Sequence, residues 1–201
     1  MPERNAERTK TAILEAAEDL FARQGFERTS LHEIAAAAGF ARSTPAYFFK
    51  TKQQLYDTVL ENALERGRAA MRPAFEAAIG APSSERALDT IVGDVLAFLA
   101  HDEKYVLIMQ REALAPRPSL AALLTEPALA EARMGFAHAL GHEDPDHFFL
   151  ELSALTWFPF AQARTFVAAL GFDARDPQFL KRHRERIVRL LAQAGSAPRE
   201  R

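Results

Sequence analysis

Residues 29–52 of the chain read TSLHEIAAAAGFARSTPAYFFKTK, and this stretch decides the fold. Ser30 and Glu33 have the spacing of a capping box, which predicts a short helix that begins at Leu31. Gly39 follows the apolar positions of this helix and predicts a tight turn, because glycine readily adopts backbone conformations that other residues avoid. The stretch is therefore expected to contain a short helix that ends in a glycine turn.

A second short helix is expected from about Arg42 to Phe49. Pro45 falls in its first turn, where a missing backbone N–H costs little. A longer helix is expected before the stretch, because apolar residues recur at helical spacing from near Arg8 until Gly25, a residue typical of the position just past a helix end. A helix followed by two short helices with a glycine turn describes a helix-turn-helix unit.

The charge of this region is unevenly distributed. Residues 1–52 contain 8 Lys or Arg and 7 Asp or Glu, whereas residues 34–54 contain no acidic residue and three basic ones, Arg42, Lys50 and Lys52. A cationic helix suits a groove lined by phosphates, since Arg pairs with a guanine edge and Lys with a phosphate. The alternative is a basic helix that simply faces water.

The order of residues resembles the DNA-binding domain of TetR-family transcriptional repressors over about residues 8–60. The resemblance is carried by the following residues: Ile13, Leu14, Glu15, Ala16, Ala17, Leu20, Phe21, Gly25, Phe26, Thr29 to Ala35, Ala38, Gly39, Phe40, Thr44 and Tyr47 to Lys52. It implies that the second short helix is the recognition helix, which lies in the major groove of DNA. It also implies that Phe49 packs this helix on the core.

The resemblance and the local charge together predict a set of DNA contacts at the starts of the two short helices and of the helix that follows them. These residues are Thr29, Ser30, Arg42, Ser43, Thr44, Tyr47, Lys50 and Lys52. The sequence departs from the family pattern in two places: Ala46 stands where the family usually has Tyr, and Ala41 where it tends to have Ser. Tyr47 is a candidate for the missing phosphate contact, and Ser43 or Thr44 for the helix cap.

The composition of the whole chain favours an all-α fold. The 201 residues include 39 Ala and 23 Leu but only 6 Ile and 6 Val, a skew that favours helix over strand and argues against a sheet-based enzyme. The chain has no Cys and a formal net charge of -2, so a nucleic-acid surface must be a local patch. No apolar run is long enough for a membrane span, and a cytoplasmic protein is expected.

Two domains are expected. Residues 7–52 form the DNA-binding domain, which extends to about residue 67 with the start of a fourth helix, and the helix-turn-helix motif occupies about residues 30–49. Residues 53–195 form a helical ligand-binding and dimerisation domain. Residues 1–6 and 196–201 are expected to be disordered.

The larger domain contains 17 basic and 20 acidic residues, so it is not a second nucleic-acid surface. The resemblance implies that it binds a small-molecule inducer and forms a homodimer through its last two long helices. Candidate pocket residues are aromatic or sulfur-containing: Phe98, Tyr105, Met109, Phe136 and Trp157. Candidate dimer residues are apolar: Phe148, Phe149, Leu152, Leu155, Phe179, Ile187 and Leu190. The alternative is that these last residues are buried within one chain.

No catalytic or cofactor-binding motif is present in the sequence. His138, His142 and His147 lie among acidic residues, but Gly141 and Pro145 interrupt the helix there, and a solvated helix end is favoured over a metal site. The protein is therefore expected to be a homodimeric repressor and not an enzyme. The repressor is expected to bind a palindromic operator and to be released from it by a small, largely apolar ligand. The alternative is a helical-bundle carrier or enzyme that does not bind DNA.

Overall fold

The structure is a computed structural model, and it describes residues 2–114, 134, 137, 140, 142 and 144–194. Within these ranges the secondary structure is helical and contains no strand, as the composition predicts. The α-helices are α1 (Pro2–Arg28), α2 (Leu31–Ala37), α3 (Thr44–Phe49), α4 (Lys52–Ile79), α5 (Ser84–His101), α6 (Glu103–Leu114), α7 (Pro145–Ala161) and α8 (Pro177–Ala194). None of the helices described is both long and apolar enough to cross a bilayer.

The described chain divides into two compact units. The first contains residues 2–66 and the described part of α6 from Lys104 onward, and the second contains residues 67–103 and the described residues from 134 to 194. The first unit ends within α4 at Arg66 and includes most of α6. The functional domain limits expected from the sequence stay predictions.

The turn between α2 and α3 follows from local sequence. Ser30 caps α2 in the predicted capping box, in which the Glu33 N–H donates to the Ser30 hydroxyl and the Ser30 N–H donates to the Glu33 carboxylate at 2.8 Å. At the other end the Gly39 N–H donates to Ala36 and the Phe40 N–H donates to Ala35. This is the Schellman pattern, and it requires the positive φ of 76° that Gly39 adopts.

The first helix differs from the prediction at both ends. Gly25 interrupts it as expected, with φ 83° and ψ 171°, but a further helical turn continues to Arg28. Residues 2–6, which were expected to be disordered, belong to α1 in the structure. These residues, PERNA, include Arg, Glu and Ala, which favour helix, and they extend a helix that is already formed. Residues 196–201 lie outside the described residues.

The recognition helix begins two residues later than predicted. Arg42 and Ser43 form a turn, and α3 begins at Thr44 with Pro45 in its first turn. Ser43 occupies the N-cap position, but its backbone is helical at φ -82° and ψ -13°, and its side chain makes no capping hydrogen bond. Of the two candidate caps, Ser43 therefore holds the position without capping through its side chain.

An aromatic and polar core holds α4 and α6 to α1 in the first unit. Tyr56 packs edge-on against Phe21, with ring centroids 4.9 Å apart, and against Phe26. Its hydroxyl donates to Oε1 of Glu112 at 2.5 Å, and Glu112 is fully buried. A carboxylate is costly to bury without hydrogen bonds, so this contact fixes the rotational position of α6 against α4.

Arg111 ties α6 to the end of α1. Its Nε donates to the Ala22 carbonyl at 2.9 Å, and its guanidinium also donates to the Arg23 carbonyl. The guanidinium lies 3.2 Å from the position that a Cβ on Gly25 would occupy. Glycine at the kink is therefore favoured both by its positive φ and by this close approach.

The second unit packs α5, α7 and α8 together. The buried stripe of α5 meets α8, and Arg184 of α8 holds Asp89 of α5 through two hydrogen bonds of 2.6 Å. Pro159 lies in the last turn of α7, and a π-helical segment, Ala163–Val167, follows. Regular α-helix therefore gives way just after Pro159.

Three of the predicted dimer residues belong to the core of this unit. Phe148, Leu152 and Ile187 are 2%, 4% and 1% exposed, so they pack within the chain and their assignment to a dimer interface is wrong. An apolar stripe at helical spacing buries its residues against whichever helix lies opposite, and sequence periodicity does not identify that helix. Phe149, Leu155 and Phe179 are partly exposed, and Leu190 is 54% exposed.

We expect Tyr56→Phe to lower the free energy of unfolding by about 1–3 kcal/mol, because it removes the hydrogen bond to buried Glu112. Urea unfolding followed by circular dichroism measures this change. Tyr47→Phe is the matched control, since Tyr47 is 81% exposed, and it should leave the unfolding midpoint unchanged. Equal midpoints for both variants and the unsubstituted chain would contradict the role given to the Tyr56 hydroxyl.

Candidate nucleic-acid interface

Residues from the ends of α1 and α4 and from α2 and α3 form a concave surface of about 500 Å³, called here the head groove. It is lined by the following residues: Glu27, Arg28, Thr29, Ser30, Leu31, His32, Arg42, Ala46 and Lys52. Four of the predicted DNA contacts, Thr29, Ser30, Arg42 and Lys52, therefore lie on one surface although they are far apart in the sequence.

The head groove is predominantly cationic. Arg28, Arg42 and Lys52 line it, and Glu27 is the acidic residue among its lining. Arg28 and Arg42 are exposed, and no carboxylate within the described parts of the chain forms an ion pair with either of them. Their charge is thus available to a polyanion, as direct contact with DNA phosphates requires.

Lys52 has a structural contact as well as a place in the groove. Its Nζ donates to the Phe26 carbonyl at 3.0 Å and lies 4.2 Å from the centroid of the Phe26 ring. This contact ties the start of α4 to the last turn of α1. An ammonium has three donors, so the hydrogen bond to Phe26 leaves others for a phosphate.

Thr29 is not available as a side-chain contact, which corrects the prediction. It is only 2% exposed, and its hydroxyl donates to the Gly25 carbonyl at 2.7 Å. The hydroxyl satisfies a carbonyl at the kink of α1, so its role is to shape the connection to α2. Sequence alone does not show this, because the hydrogen bond depends on the non-helical backbone at Gly25.

Ser30 remains exposed at the rim of the groove, where it caps α2. The Ser30 hydroxyl, which donates to the Glu33 carboxylate at 2.8 Å, holds the pKa of Glu33 below its ordinary value, and the Ser30 backbone N–H acts in the same direction. Glu33 is therefore engaged by Ser30.

The recognition helix presents an aromatic side chain and a lysine to solvent. Tyr47 is 81% exposed and packs edge-on against Phe48, with ring centroids 5.2 Å apart. Lys50 is exposed at the end of α3 with a positive φ of 55°, and it forms no ion pair with the described residues. Phe49 is 6% exposed, which confirms that it packs α3 on the core.

Two groove residues were not predicted from the sequence. Arg28 and His32 line the head groove beside Arg42. Both lie outside residues 34–54, the stretch without acidic residues. Glu27 and Glu33 offset the positive charge of the sequence around them. Their positions on either side of Ser30, the N-cap of α2, could have indicated them.

The second unit offers a concave surface of a different character. The groove between α5 and α8, about 760 Å³, is lined by acidic and basic residues together: Glu85, Arg86, Asp89, Glu185 and Arg189. Mixed charge gives this surface no net attraction for a polyanion. The head groove is therefore the stronger candidate for a nucleic-acid interface.

The predicted effector residues are divided between the two units. Tyr105 and Met109 lie on α6 in the first unit, while Phe98 and Trp157 lie in the second, and all four are partly exposed. Phe136 lies outside the described residues. The assignment of these residues to a ligand pocket stays a prediction.

The histidines considered for a metal site have other contacts. His147 Nδ1 lies 2.9 Å from the Asp144 carboxylate, which also caps α7, and the His142 ring packs on Phe148 at 4.2 Å. His138 falls outside the described residues. Among the residues that are described, no group of three metal-ligating side chains is placed to hold an ion.

A long helix followed by two short helices, with a Schellman turn, an exposed recognition helix and a cationic groove, is typical of a helix-turn-helix DNA-binding protein. The sequence model of "Bacterial regulatory proteins, tetR family" matches residues 13–59, the segment that builds this unit. A curated relative, "Probable HTH-type transcriptional regulator YttP" of Bacillus subtilis (strain 168), is 24% identical over 190 residues, which are 89% of this chain and 90% of that protein. Over residues 13–59 the chain is thus similar to regulatory proteins of the TetR family.

Solved structures share the fold. A TetR family transcription regulator from Marinobacter aquaeolei VT8 matches with a TM-score of 0.72 at 18% identity, over 94% of this chain and 97% of that one. AibR, solved in complex with isovaleryl coenzyme A and operator DNA, matches with a TM-score of 0.67 at 16% identity, over 90% of this chain and 97% of that one. The matching family model and curated relative are those of transcriptional regulators and support DNA-binding transcriptional regulation, while the solved structures show the shared fold.

We expect Ser30→Ala to lower the free energy of unfolding by about 1 kcal/mol through loss of the α2 cap. The lowered pKa of Glu33 adds a pH dependence. Stabilisation from a lowered carboxyl pKa is present above the ordinary value and is lost as the pH falls through the folded value. The difference in the free energy of unfolding between Ser30→Ala and the unsubstituted chain should therefore become smaller below about pH 4.

Ser30→Asn is the control for this experiment, because Asn caps helices about as well as Ser. Chemical unfolding at neutral and acid pH measures all three chains. A stability difference between Ser30→Ala and the unsubstituted chain that stays constant across the acid range would contradict the link to Glu33.

Proposed function

We propose that the protein is a homodimeric repressor that binds a palindromic operator and is released from it by a small, largely apolar ligand, in the cytoplasm. The observation that carries the DNA-binding mode is the cationic head groove beside an exposed recognition helix. Arg42 and Lys50 flank α3 without ion-pair partners in the described chain, and Tyr47 projects from it.

In this proposal α3 enters the major groove and the neighbouring cations hold the DNA backbone. Arg42, Ser43, Thr44 and Tyr47, at the start and on the exposed side of α3, contact bases and nearby phosphates. Ser30, Lys50 and Lys52 contact phosphates, which position the protein but carry little sequence information. Thr29 is left out of this set because its side chain is buried.

The homodimer supplies the specificity that one short helix lacks. Two recognition helices related by a two-fold axis read two half-sites, which predicts a palindromic operator. We propose the dimer face on the exposed apolar side chains of α7, the π-helical segment and α8, because large apolar side chains exposed to solvent favour association. These side chains are Leu150, Phe158, Phe166 and Leu190, which are 49–64% exposed.

The proposed effector is a small molecule of mainly apolar character. The family resemblance and the partly exposed aromatic side chains of the larger half support a ligand that is mainly apolar. AibR, which shares the fold, was solved with an acyl coenzyme A and operator DNA together. Release follows when the ligand favours a spacing of the two recognition helices that does not fit successive grooves.

We expect Arg42→Ala to weaken binding to duplex DNA and to reduce the magnitude of the salt slope by about 0.9, as loss of one phosphate contact does. The slope is measured by fluorescence anisotropy of a labelled duplex over a range of salt concentrations. Arg189→Ala is the matched control, since Arg189 is an exposed arginine of the second unit. An unchanged affinity and slope for Arg42→Ala would remove Arg42 from the interface.

Selection of bound duplexes from a random DNA pool tests the operator. We expect enrichment of a palindrome whose half-sites lie one helical turn, or a multiple of it, apart. Enrichment of a single half-site would retain DNA binding and contradict the homodimer. Failure of folded protein to enrich any sequence, at low salt as well, would favour the alternative of a carrier or enzyme that does not bind DNA.

A further inference from the structure

His32 occupies a position in the head groove that the proposed function does not use. It is exposed on α2 and lines the groove together with Arg28, Arg42 and Lys52. The groove therefore places a titratable imidazole among permanent cations on the surface proposed to face DNA. Histidine is the side chain whose charge ordinarily changes between about pH 5 and pH 8.

We propose that His32, with Arg28, forms a further contact to a DNA backbone phosphate, and that DNA binding is coupled to the protonation of His32. The inference rests on the proposed function, since it needs duplex DNA in the head groove. It adds two residues to the interface and a dependence of operator affinity on pH.

The charged groups around His32 determine the direction of the effect. Arg28, Arg42 and Lys52 line the groove together with His32. Glu27 lines the same groove, and the neighbouring Glu33 is engaged by Ser30. A phosphate bound in the groove neutralises these cations and pairs with the imidazolium, which favours the charged form of His32 in the complex.

His32 then takes up a proton when the complex forms. Because binding and protonation are linked, the affinity for DNA rises as the pH falls. A charge-assisted contact at an exposed site predicts an affinity about fivefold higher at about pH 6 than at about pH 8. It also predicts a salt slope that is steeper by about 0.9 at the lower pH, because one more phosphate is neutralised by the protein.

The test measures duplex affinity by anisotropy at both pH values and constant ionic strength, with the full chain. The probe is the duplex recovered from the random pool, or a random-sequence duplex at low salt if no sequence is enriched. His32→Gln should abolish most of the pH dependence and the change in salt slope. His32→Arg should bind with high affinity at both pH values, since its charge is permanent.

His101→Gln is the control, because His101 is an exposed histidine of the second unit and should leave the pH dependence intact. If His32→Gln retains the full pH dependence while the chain binds DNA, the inference is wrong and the proposed function stands. If the unsubstituted chain binds no duplex at either pH, the proposed function and the inference fail together. Arg28→Ala should weaken binding at both pH values and reduce the magnitude of the salt slope; unchanged binding would remove Arg28 from the contact.

Discussion

The hydrogen bonds from Arg111 to the carbonyls of Ala22 and Arg23 are the constraint on which the geometry of the first unit depends. They hold α6 against α1 immediately before the kink at Gly25. Because α2 begins six residues after Gly25, any change in that kink changes the direction in which α2 and α3 leave α1. The direction of the recognition helix therefore depends on a contact between Ala22 and a residue 89 positions later in the chain.

The contact between Glu112 and Tyr56 also fixes the position of α6. Glu112 follows Arg111 on α6 and accepts the hydroxyl of Tyr56, so adjacent residues hold α6 to both α1 and α4. Lys104 adds an ion pair to Asp19 at 2.6 Å on the same helix. In the first unit, α6 thus connects α1, which precedes α2 and α3, to α4, which follows them.

Features of this fold that depend on neighbouring residues could be predicted from the sequence. Features that depend on contacts between residues far apart in the sequence could not. The capping box of Ser30 and Glu33, the turn at Gly39 and the break at Gly25 each depend on residues within a few positions, and each is confirmed. The burial of Thr29 and the membership of Arg28 and His32 in the groove depend on how separate helices meet. The same limit explains why apolar periodicity did not distinguish the buried Phe148 from the exposed Leu190.

Amide hydrogen exchange followed by mass spectrometry tests whether duplex DNA lies against the head groove and α3. We expect a saturating duplex to slow exchange in peptides from residues 28–52, where the groove and the recognition helix lie. Slowed exchange confined to α5 and α8, with residues 28–52 unchanged, would contradict it.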